Sequence, residues 1–146
     1  MKSKVCIISG STLGSTEYVA EHIESVLKKF GFSTALFHDP CFEDIKQQNL
    51  WLIVTSTHGA GELPDNLKPL FEQLKDKDSL NISFAIIGIG NSDYDTFCYA
   101  VDTIEQILTN KKAKQLCPSL KIDVLDTTDP EQLSENWLFN SIQYFN

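Results

Sequence analysis

The sequence predicts an α/β fold in which a five-stranded parallel sheet carries helices on both faces. Apolar β-type runs and segments of helical period alternate along all 146 residues, the pattern of a doubly wound sheet. Several runs are continuously apolar, as strands buried on both faces are. The first strand passes straight into a glycine- and hydroxyl-rich junction, Gly10-Ser11-Thr12-Leu13-Gly14-Ser15-Thr16-Glu17, which opens a helix.

Lys4–Ser9 is a short β-rich run and reads as the first strand. Val19, Ile23, Val26, Leu27 and Phe30 follow at helical spacing, and Gly31 stands where a C-terminal helix stop is expected. Phe32–Phe37 reads as the second strand, and residues 38–49 as a loop with a short helical turn. Trp51–Val54 is apolar throughout and central, and Leu67, Leu70, Phe71 and Leu74 mark the next helix. Ile82–Ile89 is the fourth strand, and Phe97, Ala100, Val101, Ile104, Ile107 and Leu108 line a fourth helix. Leu120–Leu125 alternates with polar residues, as an edge strand does. Asp129-Pro130-Glu131-Gln132 starts the last helix with an N-cap Asp, Pro at N1 and Gln at N3. Leu133, Trp137, Leu138, Ile142 and Phe145 form its apolar stripe. The length fits a single domain over 1–146.

A net charge of −8 argues against nucleic acid and anionic membrane as partners and suits steering toward a basic protein. Cys6, Cys41, Cys98 and Cys117 show no metal-ligand spacing and read as reduced thiols of a cytoplasmic protein. No signal-peptide core follows Met1, and no apolar run approaches a membrane span.

In such sheets ligands bind outside the carboxyl ends of the strands, so three loops matter. The first is the junction at 10–17. Its backbone N–H groups, the N-terminus of the helix and four hydroxyls suit a phosphate monoester. It has no Gly-Lys-Ser/Thr, and no lysine lies between Lys4 and Lys28, which excludes a nucleotide-hydrolysing P-loop. Alone, it fits a hydroxyl-rich cap without a ligand equally well. The second loop, Thr55-Ser56-Thr57-His58-Gly59-Ala60-Gly61-Glu62-Leu63-Pro64-Asp65-Asn66, lets peptide groups approach a flat ligand, or is an ordinary turn with His58 and Glu62 solvated. The third, Gly88-Ile89-Gly90-Asn91-Ser92-Asp93-Tyr94-Asp95-Thr96-Phe97-Cys98, sets an aromatic residue, Tyr94, in a polar loop. Together the three suggest a phosphate monoester attached to a flat ring.

These motifs, in this order, resemble the flavodoxin family over the whole chain, specifically its short-chain, MioC-type branch. The resemblance implies a three-layer sandwich with strand order 2-1-3-4-5 and FMN as cofactor. Ser11, Thr12, Gly14, Ser15 and Thr16 would then hold the phosphate, with Leu13 where relatives carry a further hydroxyl. Ser56 and Thr57 would meet the ribityl chain or ring edge. His58, Gly59, Ala60 and Gly61 would line the inner ring face, with His58 where many relatives have Trp or Tyr. Gly90, Asn91 and Tyr94 would cover the outer face, and Phe97 and Cys98, which end that loop, would count among the cofactor-binding residues. The Gly59–Ala60 peptide would turn toward the flavin and tune its potential. The implied task is low-potential, one-electron transfer, without catalytic residues or a metal. A monomer would shuttle between a basic-surfaced flavodoxin/ferredoxin reductase-type donor and an acceptor enzyme such as biotin synthase. The competing reading is an NAD(P)H-dependent flavin or quinone reductase of the same fold.

Overall fold

The computed structural model describes residues 3–10, 15–57, 62–93, 98–126 and 129–145. The elements run β1 (Lys4–Gly10), α1 (Ser15–Lys29), β2 (Ser33–His38), α2 (Phe42–Ile45), β3 (Leu50–Ser56) and α3 (Lys68–Leu74). They continue with β4 (Ser83–Gly90), α4 (Tyr99–Asn110), β5 (Lys114–Gln115), β6 (Leu120–Asp123) and α5 (Pro130–Ser141), and a 3-10 turn closes at Ile142–Phe145.

Every strand pair is parallel, and the order is β2-β1-β3-β4, followed by β5 and β6 on the free edge of β4. The expected order 2-1-3-4-5 is therefore present, but the fifth position is filled by two segments rather than one. β5 pairs with Ser83 and Phe84, and β6 with Ile87–Gly90. Between them lies Cys117-Pro118-Ser119, and a proline has no N–H to give to a ladder. The expected strand over Leu120–Leu125 ends at Asp123, whose carboxylate accepts the Leu125 N–H at 3.0 Å and turns the chain.

Side-chain alternation sorts the core into two layers. Val5, Ile7, Leu52, Val54, Ala85 and Ile87 face α1 and α5. Cys6, Ile8, Trp51, Ile53, Phe84 and Ile86 face α3 and α4. All twelve are essentially inaccessible, and burying each larger aliphatic side chain contributes about 1.5–3 kcal/mol. β2 alternates less sharply and stays half-buried, as an edge strand does.

Gly31 has φ 91° and ends α1 with paired return bonds, Phe32 N–H to the Leu27 carbonyl and Gly31 N–H to that of Lys28. Phe32 thus belongs to the helix stop rather than to the strand. Asp129 accepts the Gln132 N–H at 2.9 Å as the expected N-cap. The Gln132 side chain reaches forward to donate to Asn136 Oδ1 at 3.0 Å. Leu133 is 39% exposed, against expectation. Ser134, Leu138 and Ser141 form the buried stripe of α5, with the Ser134 hydroxyl satisfied by the Glu131 carbonyl. A sequence stripe drawn through large apolar residues misses a helix face built from serines.

Candidate functional site at the carboxyl edge of the sheet

Register brings the strand ends to one level: Gly10 lies opposite Thr55, Ser56 opposite Ile89, and Gly90 opposite Asp123. The segments leaving β1, β3 and β4 therefore emerge side by side, as the sequence implies. Ser11, Thr12, Leu13, Gly14, His58, Gly59, Ala60, Gly61, Tyr94 and Phe97 lie outside the described residues. The described residues form the strand ends and helix starts on either side of these segments.

At the end of β1, Leu67 packs directly over Gly10. A Cβ on Gly10 would stand 2.2 Å from Leu67 Cγ, so only glycine fits there. Beyond the junction, Ser15 is the first residue of α1 and Thr16 follows it fully buried. The Thr16 Oγ1 has no hydrogen-bond partner. Among the described residues one other buried side-chain atom shares that condition, Asn66 Oδ1, in the segment between β3 and α3. Buried polar atoms are nearly always paired within the protein or by water, and here one unpaired atom lies in the first turn of α1 and the other in the segment between β3 and α3.

After β3, Ser56 and Thr57 are half-buried at the strand end. The Thr57 hydroxyl oxygen accepts the Ala100 N–H at 3.1 Å, tying this loop to the first turn of α4 and leaving its own hydrogen free to donate. Farther along, Lys68 grips Glu62 at 2.9 Å and Asp65 at 3.1 Å. Those two carboxylates hold the Lys68 ammonium above its ordinary pKa.

After β4, Gly90 and Asn91 are half-buried, and the Asn91 side-chain oxygen accepts the Asp93 N–H. Asp123 braces this loop from β6 by accepting the Ser92 N–H at 3.2 Å. Hydrogen bonding from Ser92, with help from the Leu125 N–H, pulls the Asp123 carboxyl below its ordinary range. A depressed carboxyl stabilises the fold above its unfolded-state pKa and ceases to do so as pH falls through the lower folded value. The Ser92 and Leu125 amide resonances are accordingly expected to move together on acidification. Their midpoint should lie below the free carboxylate value of about 3.9, and a midpoint above it would contradict the brace. Asp123 carries no motif, so nothing local in the sequence marks it.

Cys98 enters α4 with φ 52°, a left-handed conformation rare outside glycine, and its side chain is fully buried. The thiol lies beneath Gly88, where an added Cβ would be 3.5 Å from its Sγ and 2.2 Å from Val101 Cγ2. Burial pushes Cys98 up to about 11 and Cys6 up to about 12, so both thiols stay protonated. All four cysteines are unpaired. No group of three or more ligating side chains able to hold a metal occurs among the described residues. Nor is any helix among them long and apolar enough to cross a membrane.

This frame is shared with known proteins. Residues 7–137 match the flavodoxin family profile. The chain belongs to the flavodoxin family. It is 58% identical to the MioC homologue of Haemophilus influenzae over 141 residues, covering 95% of this chain and 97% of that protein. A cysteine-to-alanine mutant of flavodoxin from Pseudomonas aeruginosa superposes with TM-score 0.90 at 32% identity, covering 97% of this chain and 98% of the other. A Fusobacterium nucleatum flavodoxin bound to flavin mononucleotide has the same fold, with TM-score 0.82, 18% identity and full coverage of both chains. Flavodoxins are flavin-based electron carriers, so the family assignment agrees with the phosphate-bearing flat ring that the three loops suggest.

Proposed function

We propose that this chain binds FMN at the carboxyl edge of its sheet and carries single electrons at low potential. The observation that carries this reading is the buried, unpartnered Thr16 hydroxyl in the first turn of α1, immediately beyond the glycine–hydroxyl junction. A phosphate monoester seated on that helix N-terminus would supply the missing partner and meet the positive end of the helix dipole. Ser11, Thr12, Gly14, Ser15 and Thr16 would hold the phosphate. Ser56 and Thr57 would meet the chain or ring edge, the segment 58–61 the inner ring face, and Gly90, Asn91 and Tyr94 the outer face. The flavin supplies the redox chemistry when bound, and the protein binds, orients and shields it.

Charge placement supports a basic partner. Lys46, Lys75, Lys77, Lys111, Lys112 and Lys114 stand near the opposite, amino edge of the sheet, where β3, β4 and β5 begin. Of the lysines nearer the carboxyl edge, Lys68 is engaged by Glu62 and Asp65, and Lys121 by Asp102 at 2.9 Å. Tyr18, at 70% exposure, Tyr99, at 48%, and Leu125, at 52%, offer apolar contact there. A reductase with a basic docking face would serve as donor, and an enzyme such as biotin synthase as acceptor. The four unpaired thiols favour a reducing compartment such as the cytoplasm.

The decisive experiment is the visible spectrum of the purified protein before and after adding FMN, followed by stopped-flow mixing with NADPH. Flavin bands that bleach only when a reductase is added are expected. No flavin uptake would defeat the FMN reading, and rapid direct bleaching by NADPH would defeat the carrier reading.

A further inference from the structure

We propose that the amino edge of the sheet carries a docking trough for an extended, acidic segment of a partner protein. Its residues lie at the opposite end of the strands from the proposed flavin site, so the trough stands or falls separately from FMN binding.

Two adjoining cavities of about 380 and 410 Å³ open at this edge. They share one wall, Asn49, Leu80, Asn81 and Ile82, where the chain enters β3 and β4. Register sets Leu50, Ser83 and Lys114, which all line the first cavity, side by side. That row of three strands is about 10 Å across. Lys112 and Lys114 line the first cavity, and Lys46 and Lys77 the second. The chain has 20 acidic residues against 12 basic ones, yet no Asp or Glu lines either cavity. Asp76 and Asp78 flank Lys77 in the chain without lining the trough.

The second cavity is braced from within the fold. Lys111 donates to the carbonyls of Lys75 at 3.0 Å and Lys77 at 2.7 Å, which fixes that segment against the end of α4. The Lys77 ammonium stands 4.8 Å from the centre of the Phe42 ring, and Lys46 holds Glu43 at 2.7 Å. Lys112 and Lys114, by contrast, are exposed and have no ion-pair partner among the described residues. Lys112 also has a φ of 66° where α4 stops, with the Ala113 N–H returning to the Leu108 carbonyl. Gly31 fills the same left-handed position at the end of α1, and glycine is the usual residue there. At the end of α4 a lysine takes that strained position and lines the cavity. Strain of this kind gathers at ligand sites.

A cation pair in each lobe calls for a ligand with two separated negative groups, whereas a single small anion would occupy one lobe. In an extended segment, side chains two positions apart share a side and lie about 7 Å from each other. Acids two to four positions apart therefore reach both lysine pairs. The side-chain amides of Asn49 and Asn81, on the shared wall, can bond the peptide groups between them.

The test uses the ¹⁵N-labelled full chain and a capped octapeptide in which glutamate alternates with serine. At low salt the peptide should shift the amide resonances of Asn81, Ser83 and Lys114 and the indole N–H of Trp51, which lines the second cavity. Those of Gly90, Asn91 and Ser92 should stay still. Combining Lys112→Gly with Lys114→Gln should weaken binding about fivefold. Lys112→Gly by itself should raise the thermal midpoint, because glycine relieves the left-handed backbone. A lowered midpoint would give Lys112 a task in the fold and overturn its assignment. Equal shifts from the same peptide with glutamine for glutamate, shifts confined to the carboxyl edge, or undiminished binding by the double variant would overturn the proposal. So would inorganic phosphate reproducing the shifts, which would make the trough a small-anion site. Self-association of the chain that the double variant abolishes would assign the trough to a second copy and overturn it likewise.

Discussion

Gly10→Ala is expected to destabilise the protein by about 1–3 kcal/mol through overpacking and to weaken FMN binding at the same time. The new methyl would stand 2.2 Å from Leu67 Cγ, 2.5 Å from Cδ1 and 2.9 Å from Cδ2. Leu67 is fully buried at the start of α3, so it has no solvent side to move into. Either β1 shifts or α3 does, and both frame the junction. Urea unfolding should show a lower midpoint with an unchanged slope. Leu67→Ala alone should cost about 2–5 kcal/mol as a cavity. In the double variant the alanine methyl partly fills that cavity, so the two losses should fall short of additivity. Strict additivity would mean that the Gly10–Leu67 contact is not what fixes glycine there.

Thr16→Val has an unusual expected signature, with opposite signs in the two states of the protein. In the apoprotein the substitution removes a buried hydroxyl that has no partner, keeps the shape, and should stabilise by about 1 kcal/mol or more. In the FMN complex it removes a donor to the phosphate, and affinity should fall by about tenfold, with riboflavin affinity unchanged. Thermal unfolding of the apoprotein, paired with flavin titrations, reads both signs. A loss of stability in the apoprotein would show that the hydroxyl has a structural task within the fold. Equal weakening for riboflavin would place its effect away from the phosphate.

Much of this was legible in the residue order because the strongest signals are local. Continuous apolar runs at Trp51–Val54 and Ile82–Ile89 became central strands. The Gly31 stop and the Asp129 cap fell where short-range chemistry sets them. Glycine and hydroxyl patterns also identified the three connections that meet at one edge. What escaped depends on distant partners. Lys114–Gln115 is too short and too polar to announce itself, and becomes a strand only because Ser83 and Phe84 offer an open edge. Asp123 looks like any surface acid until Ser92 is brought beside it. The Ser9–His38 pair, 29 positions apart, exists only through the β1–β2 register. Leu133 shows the opposite failure: apolar character suggested burial, but two serines occupy the inward face of α5.

The interruption between β5 and β6 gives the chain a natural splice point. The ladder to β4 already lapses across Cys117-Pro118-Ser119, and the chain resumes its pairing at Leu120 opposite Ile87. Pro118 is exposed, so residues added between it and Ser119 would emerge into solvent rather than into either core layer. They would interrupt no strand pairing, and each doubling of such a loop adds only about 0.6 kcal/mol of closure entropy. The exposed carbonyl of Pro118, which accepts Trp137 Nε1–H at 3.1 Å, anchors the upstream side of the break against α5. A guest peptide or affinity epitope grafted there would ride on the scaffold's outer edge, leaving the β1, β3 and β4 connections of the cofactor pocket untouched.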